Sequence, residues 1–465
     1  MDNTLDSKKC TLIFLSLVVS CISATIMSTA LTTALPSILT DLSITQSLGQ
    51  WLTSGYSLVM AIVMPLSAFL INTIPTKRLY LFSLGIFLFG VLIAFFAPTF
   101  PILMAARALQ AIGNGIMTSM AQVVLLTIYP PEKRGGIMGW YGLSISAAPV
   151  LAPTLSGLIV DSIGWRAIFG LTAIVIATST LFALLIFNNV LSVSKQSFDI
   201  PSFLLSSLAF AGLTLGIGNY GTVVFWSFQV VGLIFLGIVS GVAFTYRQLD
   251  LERAFLNIRV FKSKAFTVSV CASILLYMVM MGSSVIMPLY VQSLLGYSAT
   301  ISSFVVLPGS LAMVIVSPFA GRIFDRLGIK PLLLLGSICL VISTLGMFYI
   351  SSATPFWLPA FYNVVRSIAI GCLMMPLVTW GTSHIASQFT ADGTALLTSL
   401  RTVGGAIGSA VFVSLMSTLA TANSLMGQIQ GLNRTFLCMT FVAVLLLALG
   451  LFFVKGEKGD TNSLS

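Results

Sequence analysis

Arg107-Ala-Leu-Gln-Ala-Ile-Gly-Asn-Gly-Ile-Met-Thr-Ser-Met-Ala-Gln122 sets Arg107, Gln110, Asn114, Thr118 and Gln122 three or four residues apart in an otherwise apolar run. That spacing gathers them on one helical face. Past the break at Pro130-Pro131-Glu132-Lys133-Arg134, a second apolar run carries Ala147-Ala148-Pro149, Ala152-Pro153 and Ser156-Gly157, then ends at Asp161 and Trp165-Arg166. The first helix is built to hold polarity in apolar surroundings. The second is built to bend at its prolines or to pack closely through small residues.

The same alternation of long apolar runs and short charged gaps covers the whole chain. Of 465 residues, 57% are hydrophobic and 7% charged, against about a quarter charged in soluble domains. This predicts an all-α integral membrane protein whose partner is the lipid bilayer. A bilayer core takes about 20 apolar residues per helix, and fourteen runs qualify: 11–35, 50–72, 79–97, 101–127, 136–160, 166–188, 200–220, 225–246, 266–293, 300–320, 331–351, 356–378, 394–417 and 434–454. With the N-terminus inside, seventeen Lys and Arg fall on inner segments and two, Arg166 and Arg434, on outer ones. The rule that cytoplasmic loops hold the positive charge then places both termini in the cytoplasm. Twelve helices would preserve the same parity.

The net charge of +10 is spread over these short gaps rather than clustered in an aqueous domain, so no nucleic-acid partner is expected. Six cysteines without paired spacing and one histidine, His384, without a ligand neighbour predict no metal and no cofactor. There is no phosphate-binding loop, no GxSxG, no HExxH and no His-based triad. The expectation is a non-enzyme, driven by a gradient if driven at all.

Ionisable and polar groups held in lipid usually face a cavity or a partner. Arg107 lies about 9 Å into the fourth run and Arg366 about 15 Å into the twelfth, with Asn363 one turn away. Arg401, toward the inner end of the thirteenth, also reads as a side chain snorkelling to the interface. Thr25, Ser28, Thr29, Thr32 and Thr33 give the first run a hydroxyl face, while Tyr277, Met278, Met280, Met281 and Met287 give the ninth a deformable apolar one. Each set also has a packing reading. The segment Gln248–Lys264, with its interleaved apolar residues, is expected to lie along the membrane surface. At Gly321-Arg-Ile-Phe-Asp325-Arg326-Leu-Gly328-Ile-Lys330 a tight loop is expected, with Asp325 free to face a helix N-terminus.

These motifs, in order, resemble the major facilitator superfamily, and within it the fourteen-helix drug:proton antiporters of bacterial multidrug and lincosamide export. The resemblance rests on Ile26–Ile38, Trp51–Tyr56, Arg107–Gly113, Ala148–Gly157 with Asp161 and Trp165–Phe169, Gly321–Lys330, and Thr398–Ala410. It implies two six-helix bundles (1–190 and 266–455), an extra hairpin (191–247), a linker (248–265) and a tail (456–465). It further implies a monomer in the bacterial cytoplasmic membrane that exports amphipathic small molecules against proton entry by alternating access. On this reading Thr25, Met27, Thr32, Tyr56, Gln110, Asn114, Tyr277, Met281, Asn363 and Arg366 line the substrate cavity. Arg107 couples protons, with Asp41 and Asp161 as its nearest carboxylates, and Asp199 is a further candidate. Pro149, Pro153, Gly157, Gly321, Asp325, Arg326 and Gly328 carry the conformational change. The chain departs from the branch at Met27, where its helix-one aspartate would stand, and at Asn72–Arg78, which lacks the expected Gly and Asp. With every acidic residue expected at a helix end, loop or tail, an importer or uniporter of an organic anion, or a transport-inactive scaffold or sensor, are the alternatives.

Overall fold

The computed structural model describes residues 7–191, 193–194, 198–219, 226–251, 255–296, 299–351, 354–355, 357–421 and 424–454. Within them, the side chains of residues 7, 32, 33, 46, 47, 50, 146, 147, 149–151, 153, 154, 292–294 and 299–303 lie outside the description. These residues form fourteen α-helices: α1 (Ser7–Asp41), α2 (Gln46–Thr73), α3 (Thr76–Phe95), α4 (Phe100–Ile128), α5 (Pro131–Ile163), α6 (Arg166–Ile186), α7 (Ile200–Gly218), α8 (Leu233–Asp250), α9 (Lys264–Pro288), α10 (Ala299–Leu327), α11 (Ile329–Phe348), α12 (Trp357–Ser383), α13 (Thr390–Thr418) and α14 (Leu425–Phe452). Thirteen, all but the incompletely described α5, have described stretches long and apolar enough to cross a bilayer. The protein is therefore a multi-pass membrane protein, since lipid leaves backbone amides no partner outside the helix.

Local chemistry sets many of the helix ends. Thr45, Ser263 and Ser424 cap α2, α9 and α14, accepting the N–H of Leu48, Phe266 and Gly427. Gly164 at φ 88° separates α5 from α6, and Gly328 at φ 73° separates α10 from α11, a conformation that favours glycine. At Pro288, which lacks an N–H, α9 continues as a π-helical turn, Leu289–Leu294.

Three of the boundaries that differ from the sequence expectation move charged residues. α10 runs on to Leu327, so Gly321, Asp325 and Arg326 are helical and the expected loop shrinks to Gly328. α13 starts at Thr390 rather than 394. α14 starts at Leu425 rather than 434, which puts Arg434 inside it, its guanidinium bonded to the Leu419 carbonyl.

One apolar core joins α1–α6 and a second joins α9–α14. Between the bundles, α5 packs along α10 and α2 along α13. The α7–α8 pair forms a hairpin, closely apposed where Gly212 meets Gly237, and α7 rests on both α2 and α13. Arg247 grips Asp199 through two bonds of 2.9 Å at one end of this hairpin. The described part of the segment after α8 turns several of its apolar residues into the protein. Phe255, Leu256 and Val260 are buried in the protein, and Phe255 stacks on Phe69 of α2 at 5.6 Å. The Gln248 amide oxygen, which accepts the Leu256 N–H, folds the segment inward.

Candidate functional site: a polar seam between two bundles

The end of the molecule that carries Lys77, Arg134, Arg247, Lys264 and Arg326, here the basic end, is closed by α5 and α10. A Cβ on Gly321 would lie 2.1 Å from the Gly135 carbonyl oxygen, and one on Gly139 would lie 2.7 Å from that of Ser317. Only glycine permits this approach. It lets the Asp325 carboxylate accept the N–H groups of Gly135 and Gly136, at 2.7 and 2.6 Å, near the start of α5. An anion there also meets the favourable end of the helix dipole. At the same end α2 meets α13 through apolar side chains. Among the described residues, α1 and α9 share no packing comparable to either crossing.

Above this seal, α4 presents its polar face. Arg107 is fully buried. Its Nε donates to the Leu52 carbonyl at 3.1 Å, its Nη1 to Gln110 Oε1 at 2.8 Å, and its guanidinium lies 4.1 Å from the Tyr56 ring centre. Gln110 passes the chain of bonds to the Gly90 carbonyl. One turn on, Asn114 donates to the Tyr56 hydroxyl at 2.7 Å and accepts from Thr118. Four of the five stripe residues, Arg107, Gln110, Asn114 and Thr118, thus join one network with Tyr56. The second bundle holds a counterpart on α12, where Arg366 donates to Asn363 and Asn363 donates to the Val305 and Val306 carbonyls of α10. Each arginine keeps a fully buried nitrogen without a partner, Nη2 in Arg107 and Nε in Arg366.

The structure separates residues the sequence grouped. Met27 is fully buried, and its sulfur accepts the Thr172 hydroxyl of α6, so it packs inside the first bundle. Thr25 bonds back to the Cys21 carbonyl, the local pattern hydroxyls adopt in helices. Thr32, Pro149 and Pro153 have side chains outside the description. Gly157 faces open space rather than a neighbouring helix, whereas Ser156 donates to the Ala30 carbonyl of α1. Close packing through glycine is instead found on α13, where a Cβ on Gly408 would lie 2.3 Å from the Met278 oxygen of α9. Met281 lies beside Gly405 on that contact.

Neither carboxylate expected beside Arg107 reaches it. Asp41 accepts instead from Arg166 and Trp165, at the end of the bundle opposite the seal. The Arg166 guanidinium first and the Trp165 indole second hold its carboxyl below the usual range. Asp161 is exposed. Asp199, held low by Arg247, belongs to the hairpin. All three lost to partners or positions close in space but distant in sequence.

By starting α13 too late, sequence reasoning missed Asp392 and set Arg401 too near the interface. Asp392, expected in a loop, is in the first turn of α13, is 5% exposed, and accepts the backbone N–H of Asn257 from the linker. It is the only buried acid among the described residues. Arg401, read as able to snorkel, is the twelfth residue of a 29-residue helix and is 5% exposed.

A chain of paired helical bundles with a glycine-sealed crossing and buried cations has a recognisable relative. The profile of the Major Facilitator Superfamily matches residues 13–409. The chain belongs to this superfamily. It is 33% identical over 439 residues to the lincomycin resistance protein LmrB of Bacillus subtilis, spanning 90% of each chain. It is 25% identical over 425 residues to the riboflavin transporter RibZ of Clostridioides difficile, spanning 89% of this chain and 91% of that one. The solved structure of the superfamily's proton:xylose symporter XylE, bound to 6-bromo-6-deoxy-D-glucose, superposes with a TM-score of 0.66 at 13% identity, over 95% of this chain and 97% of that one. The transporter fold is thereby shared, and the order of motifs read from the sequence agrees with the similarity to a lincomycin resistance protein.

Proposed function

We propose that the chain is a secondary exporter of amphipathic small molecules that works by alternating access, with its basic end and both termini in the cytoplasm of a bacterial cell. The observation that carries this reading is the α5–α10 crossing. It is a hydrogen-bonded, glycine-lined seal at one end of a seam that contains buried arginines, and among the described residues α1 and α9 show no comparable crossing. A protein sealed at the basic end presents the seam to the opposite side. Opening Asp325 from Gly135 and Gly136 would reverse that access. The excess of Lys and Arg at the sealed end supports the orientation, and the resemblance to a lincomycin resistance protein supports export and the amphipathic substrate class.

The energy source in this proposal is the proton gradient. Asp392 replaces Asp41 and Asp161 as the carboxylate that takes up the proton, because it is buried and has no basic partner among the described ion pairs. Arg107 supplies a fixed positive charge on the first bundle. The test is flux of lincomycin, ethidium and riboflavin in proteoliposomes, with and without an imposed pH gradient, in parallel with a lumenal pH dye. Export of at least one probe that rises with the gradient, acidifies the compartment the substrate leaves, and is uncoupled in Asp392→Asn is expected. Flux indifferent to the gradient removes the coupling. No flux of any probe removes the exporter.

A further inference from the structure

Arg401 stands apart from the other two buried arginines because two of its nitrogens, Nε and Nη1, have no hydrogen-bond partner. Its guanidinium lies 4.8 Å from the Tyr277 ring centre on α9, so one face is covered. Such stacking leaves the in-plane N–H edges of a guanidinium free for an acceptor. The surroundings repeat the pattern. On the same side of α13, Thr394 and Thr398 have buried hydroxyls without partners, and Ser273, one turn from Tyr277 on α9, has another. Elsewhere on α13, Thr402 and Ser409 bond back to their own helix. The first bundle closes the group. Tyr141 of α5 is hydrogen-bonded by Gln122 and lies within electrostatic range of Arg401, and Gln122 leaves its Oε1 unpartnered. The ion pairs among the described residues are Asp41–Arg166 and Asp199–Arg247, so no described carboxylate forms an ion pair with Arg401.

Leaving buried donors unmatched is costly, and leaving a charge so is costlier. A chain that keeps them at the junction of both bundles keeps them for something that arrives. We propose that Arg401, Tyr277, Thr398 and Ser273 form an oxyanion-binding subsite, and that the molecules it selects are amphiphiles bearing a carboxylate or similar oxyanion. Two free guanidinium donors suit the two oxygens of such a group, and neighbouring hydroxyls supply further donors. The inference rests on the exporter reading only for its consequence in transport; it is itself a statement about binding.

The experiment measures binding of 4-phenylbutanoate and 4-phenylbutanamide to the full-length protein in lipid nanodiscs, by titration calorimetry. One charge-assisted contact corresponds to about tenfold or more in affinity. The acid is therefore expected to bind about tenfold or more tightly than the amide, and the two to converge in Arg401→Gln. Arg401→Lys keeps part of the preference, having charge without the fork. Should Arg401→Gln fail to fold, Thr398→Val and Ser273→Ala remove only unpartnered hydroxyls and are expected to lower the acid-to-amide ratio. Equal binding of acid and amide, or a ratio unchanged in the variants that fold, overturns the proposal. No acid preference in the parent, with its lincomycin flux intact, counts against this subsite alone. Absent flux with the preference intact counts against the exporter alone.

Discussion

Replacing Gly321 by alanine tests the seal directly. The new Cβ would sit 2.1 Å from the Gly135 carbonyl oxygen, 2.8 Å from its carbonyl carbon and 3.2 Å from the Gly136 Cα. These are backbone atoms that cannot rotate away, so α5 and α10 must separate by about 1 Å to recover ordinary contact. That separation stretches the bonds from Gly135 and Gly136 to Asp325, now 2.7 and 2.6 Å, beyond useful hydrogen-bond range. Each such bond to a charged group contributes about 1.5–3 kcal/mol, and overpacking adds about 1–3 kcal/mol. Relaxation and water recover part, leaving about 3 kcal/mol against the sealed form, or roughly a hundredfold change in its population relative to the open one. Spin labels at the exposed positions Lys133 and Arg322 report it as a distance distribution in nanodiscs. The parent should give one short distance and Gly321→Ala a dominant longer one. Gly157→Ala, whose Cβ meets nothing within 4 Å, should leave the distribution alone. A short, unbroadened distance in Gly321→Ala would refute the argument that this crossing holds the sealed state.

Three further outcomes are expected. Arg107→Lys keeps the charge but cannot serve the Leu52 carbonyl, Gln110 and the Tyr56 ring together, so probe flux should fall at least tenfold. Arg107→Ala, which strands buried acceptors, should also cost about 3–5 kcal/mol of stability in denaturant titration. Asp392→Ala frees the Asn257 N–H, and the linker around 252–264 should become cleavable by trypsin in the intact protein, Asp392→Asn being milder; equal protease resistance in all three forms would argue against the tether. Asp41→Asn should lower the melting temperature slightly at pH 7. Because the native carboxyl is held below its unfolded value of about 3.9, the Asp41–Arg166 contribution is present above that value and is lost only as pH falls beneath it through the native one, so parent and variant should still differ at about pH 4 and converge at lower pH.

Helix number and the network on α4 were legible in the chain because lipid forces both. A backbone without water must be helical, and polar side chains inside it must share a face. Asp325 was legible as a group suited to a helix N-terminus, though not which one, since α5 comes to it from nearly two hundred residues away. What the chain hid depends on contacts between distant segments. Thr390-Ala-Asp392-Gly393 reads as loop until Asn257 supplies the N–H that lets Asp392 enter the helix. That error then moved Arg401 toward the membrane edge. Met27 was assigned to the cavity because it stands where the resembled branch has its helix-one aspartate, but a methionine there has no charge to expose and packs against Thr172 of α6. Asp41 sits near the right end of the molecule for an outer carboxylate, yet Trp165 and Arg166 hold it there.

The α7–α8 hairpin gives the two flanks of the seam unequal friction. Where α7 rests across α2 and α13, Ala61, Phe210 and Val403 form an apolar cluster with Leu213 and Ile407 around them, and none of these side chains offers a hydrogen bond to break. The α5–α10 flank is fastened by polar bonds. Rocking one bundle against the other therefore meets a latch on one side and a greased bearing on the other. The hairpin can ride over the moving joint and keep lipid tails out of it at every angle, without resisting the motion it covers.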